Sequence, residues 1–123
     1  WGLFAERFDS ADAFFTDHFI VNHCPLVFME ETGKNRTPDK LPTDEAVPLM
    51  EVCDTHLHKV IKILEPEWLI AVGGFAEKRA LAALGDLDVR IAKILHPSPA
   101  SPTANRGWAE QANAQLKELG IWH

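Results

Sequence analysis

The sequence predicts an α/β fold, in which a parallel sheet lies between helices on each of its faces. The prediction rests on three apolar segments of strand length, 19–29, 68–74 and 89–95, and on the helical segments between them. The three segments are apolar on both faces, which is typical of strands buried inside a parallel sheet. Ligands of such sheets bind beyond the carboxyl ends of the strands, so the residues at these ends are candidates for a site.

The amino-terminal part of the chain predicts one helix, one strand and one loop. Ser10 or Asp12 caps a short helix over 11–19. The run FIVNHCPLVFM at 19–29 combines β-branched and aromatic residues, and it predicts a buried strand. The polar segment 30–45 contains glycine and proline and predicts a loop.

The rest of the chain predicts three helices around the second and third strands. Apolar residues recur on one face of a helix over 46–64, namely Leu49, Cys53, Leu57, Ile61 and Leu64. Two further helices are predicted over 75–84 and 104–119, and the glycines that follow them, Gly85 and Gly120, favour helix termination.

Length and composition indicate one globular domain or part of one. The chain has 123 residues, of which 46% are hydrophobic, so it can bury a single core. Its two cysteines lie far apart in sequence, which favours a reducing compartment over a disulfide-rich secreted fold. No apolar run approaches the roughly 18 residues that span a bilayer, and no signal-peptide pattern opens the chain. We therefore expect a soluble, intracellular protein.

The net charge of −6 is at first sight unfavourable for nucleic-acid binding, because lysine and arginine supply most nonspecific affinity for phosphate. The distribution of charge is more informative than its sum. The range 89–109 contains no aspartate or glutamate, but it contains Arg90, Lys93 and Arg106. We expect the surroundings of His96 to be locally cationic, although three charges can also cluster by chance.

Three features fall at the ends of the predicted strands and are expected to face one cleft. Asn22 lies just inside the end of the first strand, Gly73 and Gly74 follow the second, and His96 follows the third. The glycine pair fits either a tight turn or a backbone that holds a phosphate at a helix amino terminus. Asn22 fits a buried amide that is hydrogen-bonded to the backbone of the core.

Two groups of histidine and cysteine residues lack the spacing of a metal site. Cys53 and His56 lie one helical turn apart, but His58 points elsewhere on the same helix. His23 beside Cys24 is an equally poor candidate. We expect neither a metal nor an organic cofactor, and we interpret the helical histidines as solvated.

Residues 96–108 resemble the second signature motif of the single-strand-selective monofunctional uracil-DNA glycosylases. The matching residues are His96-Pro97-Ser98-Pro99, Pro102, Ala104-Asn105 and Gly107-Trp108. Further segments follow the order of the family, namely WGLF, FIVNHCPLVFM, Gly33-Lys34-Asn35, Thr37-Pro38, VGGFAEKRA and QLKELG. The resemblance covers nearly the whole chain and corresponds to the carboxyl-terminal half of the family's domain.

The resemblance implies a three-layer α/β/α sandwich, the uracil-DNA glycosylase fold, to which residues 1–123 supply about three strands of the central parallel sheet and the flanking helices. It implies a monomeric enzyme of base excision repair that acts on single- and double-stranded DNA, cytoplasmic in a bacterium and nuclear in a eukaryote. The enzyme rotates uracil out of the stack and hydrolyses its N-glycosidic bond, which leaves an abasic site. Some family members also remove related deaminated or oxidised bases.

The resemblance also implies the roles of individual residues. His96 matches the motif histidine, which donates to the uracil O2 as charge develops on the leaving base. Asn22 matches the asparagine that reads the uracil edge. Gly73 and Gly74 fall at the family's phosphate contact. The segment after His96 would enter the duplex, and the DNA-contacting residues there are Pro97, Ser98, Pro99, Ala100, Ser101, Asn105 and Arg106.

The sequence departs from the family at three points. The first signature motif, a Gly-Met-Asn-Pro-Gly run whose asparagine positions the attacking water, has no match among the 123 residues. Ala100 stands where some relatives carry an arginine, and Gly74 replaces a basic residue, so both predict weaker DNA contact. We expect an upstream segment to supply the first motif and at least one more strand, so that residues 1–123 do not fold alone.

Two alternatives stay open. One is a catalytically inactive nucleic-acid-binding module that keeps the fold and lacks the first motif. The other is an unrelated nucleotide-binding α/β protein that uses Gly73 and Gly74, although the longer glycine-rich fingerprint of such proteins is absent. The presence of an upstream segment with the missing asparagine would distinguish an enzyme from a binding module.

Overall fold

The computed structural model describes residues 1–98, 102 and 104–123, and its helices and strands follow the order of an α/β protein. The helices are α1 (Gly2–Arg7), α2 (Ala11–Phe15), α3 (Thr43–Leu64), α4 (Gly74–Ala83) and α5 (Trp108–Glu118). The strands are β1 (Phe28–Met29), β2 (Asn35–Arg36), β3 (Trp68–Val72) and β4 (Arg90–Ile94). Short 3₁₀ turns cover Pro38–Lys40 and Ala104–Arg106. The predicted α/β class is confirmed.

The second and third predicted strands are confirmed as β3 and β4, which lie side by side. The Arg90 N–H donates to the Glu67 carbonyl at 3.2 Å, and the Gly73 N–H donates to the Ile94 carbonyl at 3.0 Å. Residue numbers increase in the same direction along both strands from the first hydrogen bond to the second, so the two strands run parallel. Helix α4 makes the crossover that a parallel pair requires.

The first predicted strand, 19–29, is wrong. Among the described residues of this run, only the last two form a strand, β1, and β1 pairs antiparallel with β2 instead of joining β3 and β4. Many apolar side chains of the run are exposed, for example Phe19 at 65% and Val27 at 75%. Hydrophobicity predicts burial, but a strand also needs a partner that completes its hydrogen-bond ladder, and Pro25 lacks an N–H for such a ladder. The chain therefore contributes two parallel strands, not three, in the described part.

The predicted loop at 30–45 contains the turn of a β-hairpin. Met29 lies opposite Asn35, and the Glu30 N–H donates to the Lys34 carbonyl at 2.8 Å. Gly33 has a φ of +81°, a left-handed conformation that the turn requires and that glycine adopts without strain. This segment thus contains more regular structure than the sequence pattern predicts.

Helix ends differ from the predicted ones for local reasons. Ser10 caps α2, as one of the two predicted caps, because its hydroxyl accepts from the Ala13 N–H at 3.1 Å. Helix α2 ends at Phe15 and not at residue 19, since the His18 ring donates to the Phe14 carbonyl at 2.8 Å in place of a backbone N–H. Helix α1 has no counterpart in the prediction.

The described residues form two compact units. The His96 unit comprises Trp1–Ile20, Ile70–Glu77 and Ala92–His123, and the Asn22 unit comprises Val21–Leu69 and Lys78–Ile91. No helix in the described ranges combines the length and the hydrophobicity that a membrane span requires.

Helix α5 supplies much of the core of the His96 unit. Trp108, Ala112 and Leu116 recur every four residues and therefore lie on one helical face. Ala112 and Leu116 are buried against Ile94 of β4, and Trp108 packs on the same cluster. The helix stop predicted at Gly120 is confirmed, because Gly120 follows the last turn with a φ of +73°.

Helices α3 and α4 supply the core of the Asn22 unit. Leu57 and Ile61 of α3 are buried against Ala80 and Leu84. The apolar face predicted for α3 is therefore confirmed at its centre. At the end of the same face, Leu64 is 45% exposed.

Candidate functional site

His96 follows β4 closely, and the residue before it is held by two side chains of α5. The Leu95 N–H donates to the Gln115 amide oxygen at 3.1 Å, and the Leu95 carbonyl accepts from the Trp108 indole N–H. Both backbone groups of a residue beyond the strand are thereby satisfied, which fixes the backbone that carries His96. The sequence identifies Trp108 as part of a motif and gives no sign of Gln115, because both contacts depend on how α5 packs.

Gly73 lies against His96 at the neighbouring strand end. Its φ is +91°, in the left-handed region that favours glycine. A Cβ added at Gly73 would lie 3.0 Å from the His96 Cβ and 3.4 Å from the ring atom Cδ2, so a side chain there would require His96 to shift. The structure therefore brings two predicted site residues together at the carboxyl ends of two parallel strands, as the sequence predicts.

The Gly73 N–H is not available for the phosphate contact that the sequence suggests. It donates to the Ile94 carbonyl at 3.0 Å and so completes the hydrogen bonding between β3 and β4. A tight turn and a phosphate-binding backbone both require glycine at this position, so the sequence does not distinguish the two interpretations. Gly74 is the first residue of α4, is exposed, and has no neighbour within 4 Å of an added Cβ.

The proline-rich segment after His96 is described in part. Pro97 is exposed and Ser98 is half-buried, and the Ser98 N–H donates to the His96 carbonyl at 2.9 Å in a tight turn. Asn105 and Arg106 are exposed in the second 3₁₀ turn. The remaining predicted DNA contacts lie outside the described residues, namely Pro99, Ala100 and Ser101.

Two of the three cationic side chains in 89–109 are paired with carboxylates. The Lys93 ammonium lies 2.8 Å from the Glu77 carboxylate, and the Arg90 guanidinium lies 3.1 Å from that of Glu67. The expected excess of positive charge is therefore reduced. The acids come from other elements, so the sequence window does not contain them, whereas Arg106 is exposed at the end of its turn.

Asn22 belongs to the Asn22 unit, where residues 21–27 have no regular secondary structure. Asn22 is exposed, so its interpretation as a buried amide at a strand end is wrong. The next residue is held firmly. His23 is only 9% exposed in its side chain, and its Nε2 lies 2.7 Å from Asp54 Oδ1.

Asp54 on α3 is the centre of a charged network with His23 and Arg79. The Arg79 guanidinium donates to both carboxylate oxygens, from Nε at 3.1 Å and from Nη2. Burial raises the pKa of the Asp54 carboxyl, but hydrogen bonds from Arg79 and His23 outweigh burial and hold the pKa below its ordinary value. An ionised carboxylate only accepts, so His23 Nε2 carries a proton. The partners are 25 and 31 residues from Asp54 in sequence, and no local motif reveals them.

Within the described ranges, no three His, Cys, Asp or Glu side chains are placed to hold a metal ion together. Burial raises the pKa of the Cys53 thiol to about 11, with a further contribution from Cys24. Cys53 is therefore an uncharged thiol at neutral pH, which makes it a poor nucleophile. His56 is exposed, as expected, whereas His58 lies 3.0 Å from the Asp86 carboxylate and is more than a solvated side chain.

The chain belongs to the uracil DNA glycosylase superfamily, whose family model matches residues 2–117. It is 39% identical, over 98% of its length, to the single-strand selective monofunctional uracil-DNA glycosylases of Rattus norvegicus and Bos taurus. The corresponding protein of Mus musculus is 38% identical over the same share. The resemblance stated from the sequence is confirmed.

The chain spans less than half the length of these relatives. It covers 44% of the rat and mouse proteins and 45% of the bovine protein.

Proposed function

We propose that the protein carrying this chain is a monofunctional uracil-DNA glycosylase of base excision repair. Superfamily membership supports the activity, and the names of the relatives support uracil in DNA as the substrate. The structural observation that carries the proposal is the fixed position of His96. Side chains of α5 hold the backbone of Leu95 directly before it, and Gly73 lies against it. A donor that is oriented before the reaction stabilises charge as the charge develops.

Hydrolysis of the glycosidic bond places negative charge on the departing uracil and positive charge on the deoxyribose. The bond to N1 breaks with its electron pair on the base, and a water oxygen then bonds to C1′ and loses a proton. An imidazole N–H directed at the uracil O2 stabilises this anion more in the transition state than in the ground state. His96 is exposed, so its ring is accessible to a base that has left the DNA stack.

Asn22 is the proposed reader of the base. Its exposed carboxamide offers an NH₂ donor to the uracil O4 and a carbonyl acceptor to the N3–H. Cytosine presents the opposite pattern and would leave both groups unpaired. A bidentate pair of this kind discriminates between bases by about 1–3 kcal/mol.

DNA contact is proposed for the residues after His96 and for Gly74, as the resemblance implies. Pro97, Asn105 and Arg106 are exposed, which supports contact with the nucleic acid. Ser98 and the three residues outside the described ranges complete the proposed contact, and Gly73 contributes through close backbone approach instead of its N–H.

The proposal extends to the complete domain. Strands β3 and β4 with their helices would form part of a three-layer α/β/α sandwich around a parallel sheet, in a monomeric enzyme. A further segment would supply the asparagine that positions water, since the first family motif has no match among the 123 residues. The greater length of the relatives supports such a segment.

A single-turnover assay on a uracil-containing oligonucleotide tests the proposal with the complete protein. We expect His96→Ala to slow excision by roughly 10²-fold or more, the effect of removing one oriented donor, with little change in binding to an abasic product. His56→Ala is the matched control, because it removes an exposed histidine of α3, and it is expected to cleave normally. Normal cleavage by His96→Ala would reject the role of His96. A wild-type protein that binds the DNA and releases no uracil would be an inactive binding module instead.

A further inference from the structure

The network of His23, Asp54 and Arg79 has no part in the chemistry proposed above, although its three side chains are largely buried. Their exposed fractions are 9%, 19% and 23%. Buried polar groups of this kind are costly unless their hydrogen bonds are made, and these bonds restrict the positions of the groups that make them. Asp54 accepts one hydrogen bond from His23 and two from Arg79.

The network anchors a segment that is not held by a strand ladder. Residues 21–27 have no regular secondary structure, and Asn22 directly precedes His23. The His23 ring ties the backbone at this point to α3 through Asp54. Arg79 uses two N–H groups and so restricts the orientation of the Asp54 carboxylate, which fixes the direction of the His23 contact.

We propose that Asp54 and Arg79 are positioning residues for base recognition, and that they act through His23 on Asn22. The inference rests on the proposed function, in which the Asn22 carboxamide reads the uracil edge. A short side chain on an anchored backbone presents its donor and acceptor in a restricted set of positions. Because a misplacement of about 1 Å lowers a reaction rate by about 10²-fold, loss of the anchor slows excision without removing a group that touches the base.

Asp54→Asn in the complete protein removes the charge with little change in shape. In single-turnover excision of uracil, we expect a rate about 10- to 100-fold below that of the wild type, with little change in binding to an abasic product. Asp86→Asn is the matched control, since it breaks another contact between an aspartate and a histidine of α3, namely His58. It is expected to excise uracil at the wild-type rate, and an equal loss in both variants would overturn the inference.

Combination with Asn22→Ala separates positioning from a general effect on the fold. If Asp54 acts through Asn22, then Asp54→Asn slows the wild type but adds no further loss once the carboxamide is absent. Fully additive losses would overturn the inference. Slow excision by Asn22→Ala together with a normal rate for Asp54→Asn would overturn the inference but leave the proposed function intact. A normal rate for Asn22→Ala would instead reject base reading by Asn22, and with it the part of the proposed function on which the inference rests.

A second pair of variants keeps the test decisive if Asp54→Asn fails to fold. His23→Gln retains an N–H donor toward Asp54, whereas His23→Phe retains a ring and loses the donor. We expect excision near the wild-type rate from the glutamine variant and the slow rate from the phenylalanine variant. Amide hydrogen exchange in 21–27 is expected to be faster in the phenylalanine variant only. Equal rates of excision and exchange in the two variants would overturn the inference.

Discussion

A methyl group at Gly73 would disturb both the local backbone and His96. Gly73 has a φ of +91°, and a residue with a Cβ in a left-handed conformation costs roughly 1–2 kcal/mol. The new Cβ would lie 3.0 Å from the His96 Cβ, whereas carbon atoms in favourable contact are about 3.5–4.0 Å apart. His96 would therefore have to move by a few tenths of an ångström.

The contacts of Leu95 resist this movement. Its N–H and its carbonyl are bonded to Gln115 and Trp108, and a shift of His96 weakens at least one of these bonds. The net contribution of one such bond is about 1 kcal/mol. The weakened hydrogen bond and the backbone strain act together, so Gly73→Ala is expected to lower the free energy of unfolding by about 2–3 kcal/mol.

Urea unfolding of the complete protein checks this value, with Gly74→Ala as the matched control. Gly74 is the first residue of α4 and has open space around an added Cβ, so alanine there is expected to be neutral or to stabilise by up to about 1 kcal/mol. Gly73→Ala is also expected to slow single-turnover excision by up to about 10-fold, because His96 is displaced by a few tenths of an ångström. Equal stability of the two variants, with wild-type excision by Gly73→Ala, would refute the close packing of Gly73 on His96.

Three further predictions concern Asn22, Trp108 and Asp54. Asn22→Asp is expected to lower the rate of uracil excision and to raise the relative activity on cytosine, because a carboxylate accepts from the cytosine N4–H₂. Unchanged kinetics on uracil would contradict base reading by Asn22. Trp108→Phe leaves the Leu95 carbonyl without its indole partner, so the free energy of unfolding is expected to fall by about 1–3 kcal/mol and excision is expected to slow. A variant whose urea unfolding matches that of the wild type would contradict this role. The pKa of Asp54 is lowered by folding, so its stabilising contribution is present above the ordinary carboxyl pKa of 3.8 and is lost as the pH falls through the folded value. Unfolding measured down to about pH 2 is expected to show a steeper acid loss in the wild type than in Asp54→Asn, and equal slopes would contradict the contribution of this carboxylate.

The sequence by itself determines the elements that carry strong local patterns. The spacing of apolar residues predicts α3, and the glycine stops predict the ends of α4 and α5, each within a few residues of the observed helix. The short apolar runs of β3 and β4 are separated by a helix, and this connection makes the two strands parallel. The same patterns place His96 at a strand end, and the motif after it identifies the family.

Only the tertiary structure decided how the remaining polar and apolar groups are used. The run 19–29 has the composition of a strand, but its ladder partner is not a property of the run, and His23 within it is instead bonded to Asp54 on α3. Likewise, the Gly73 N–H is bonded to Ile94, and Lys93 is neutralised by Glu77 from another element. Local patterns report which conformations the residues favour and which faces of a helix are apolar. Hydrogen bonds and ion pairs between elements depend on how those elements pack, and residues that are distant in sequence determine that packing.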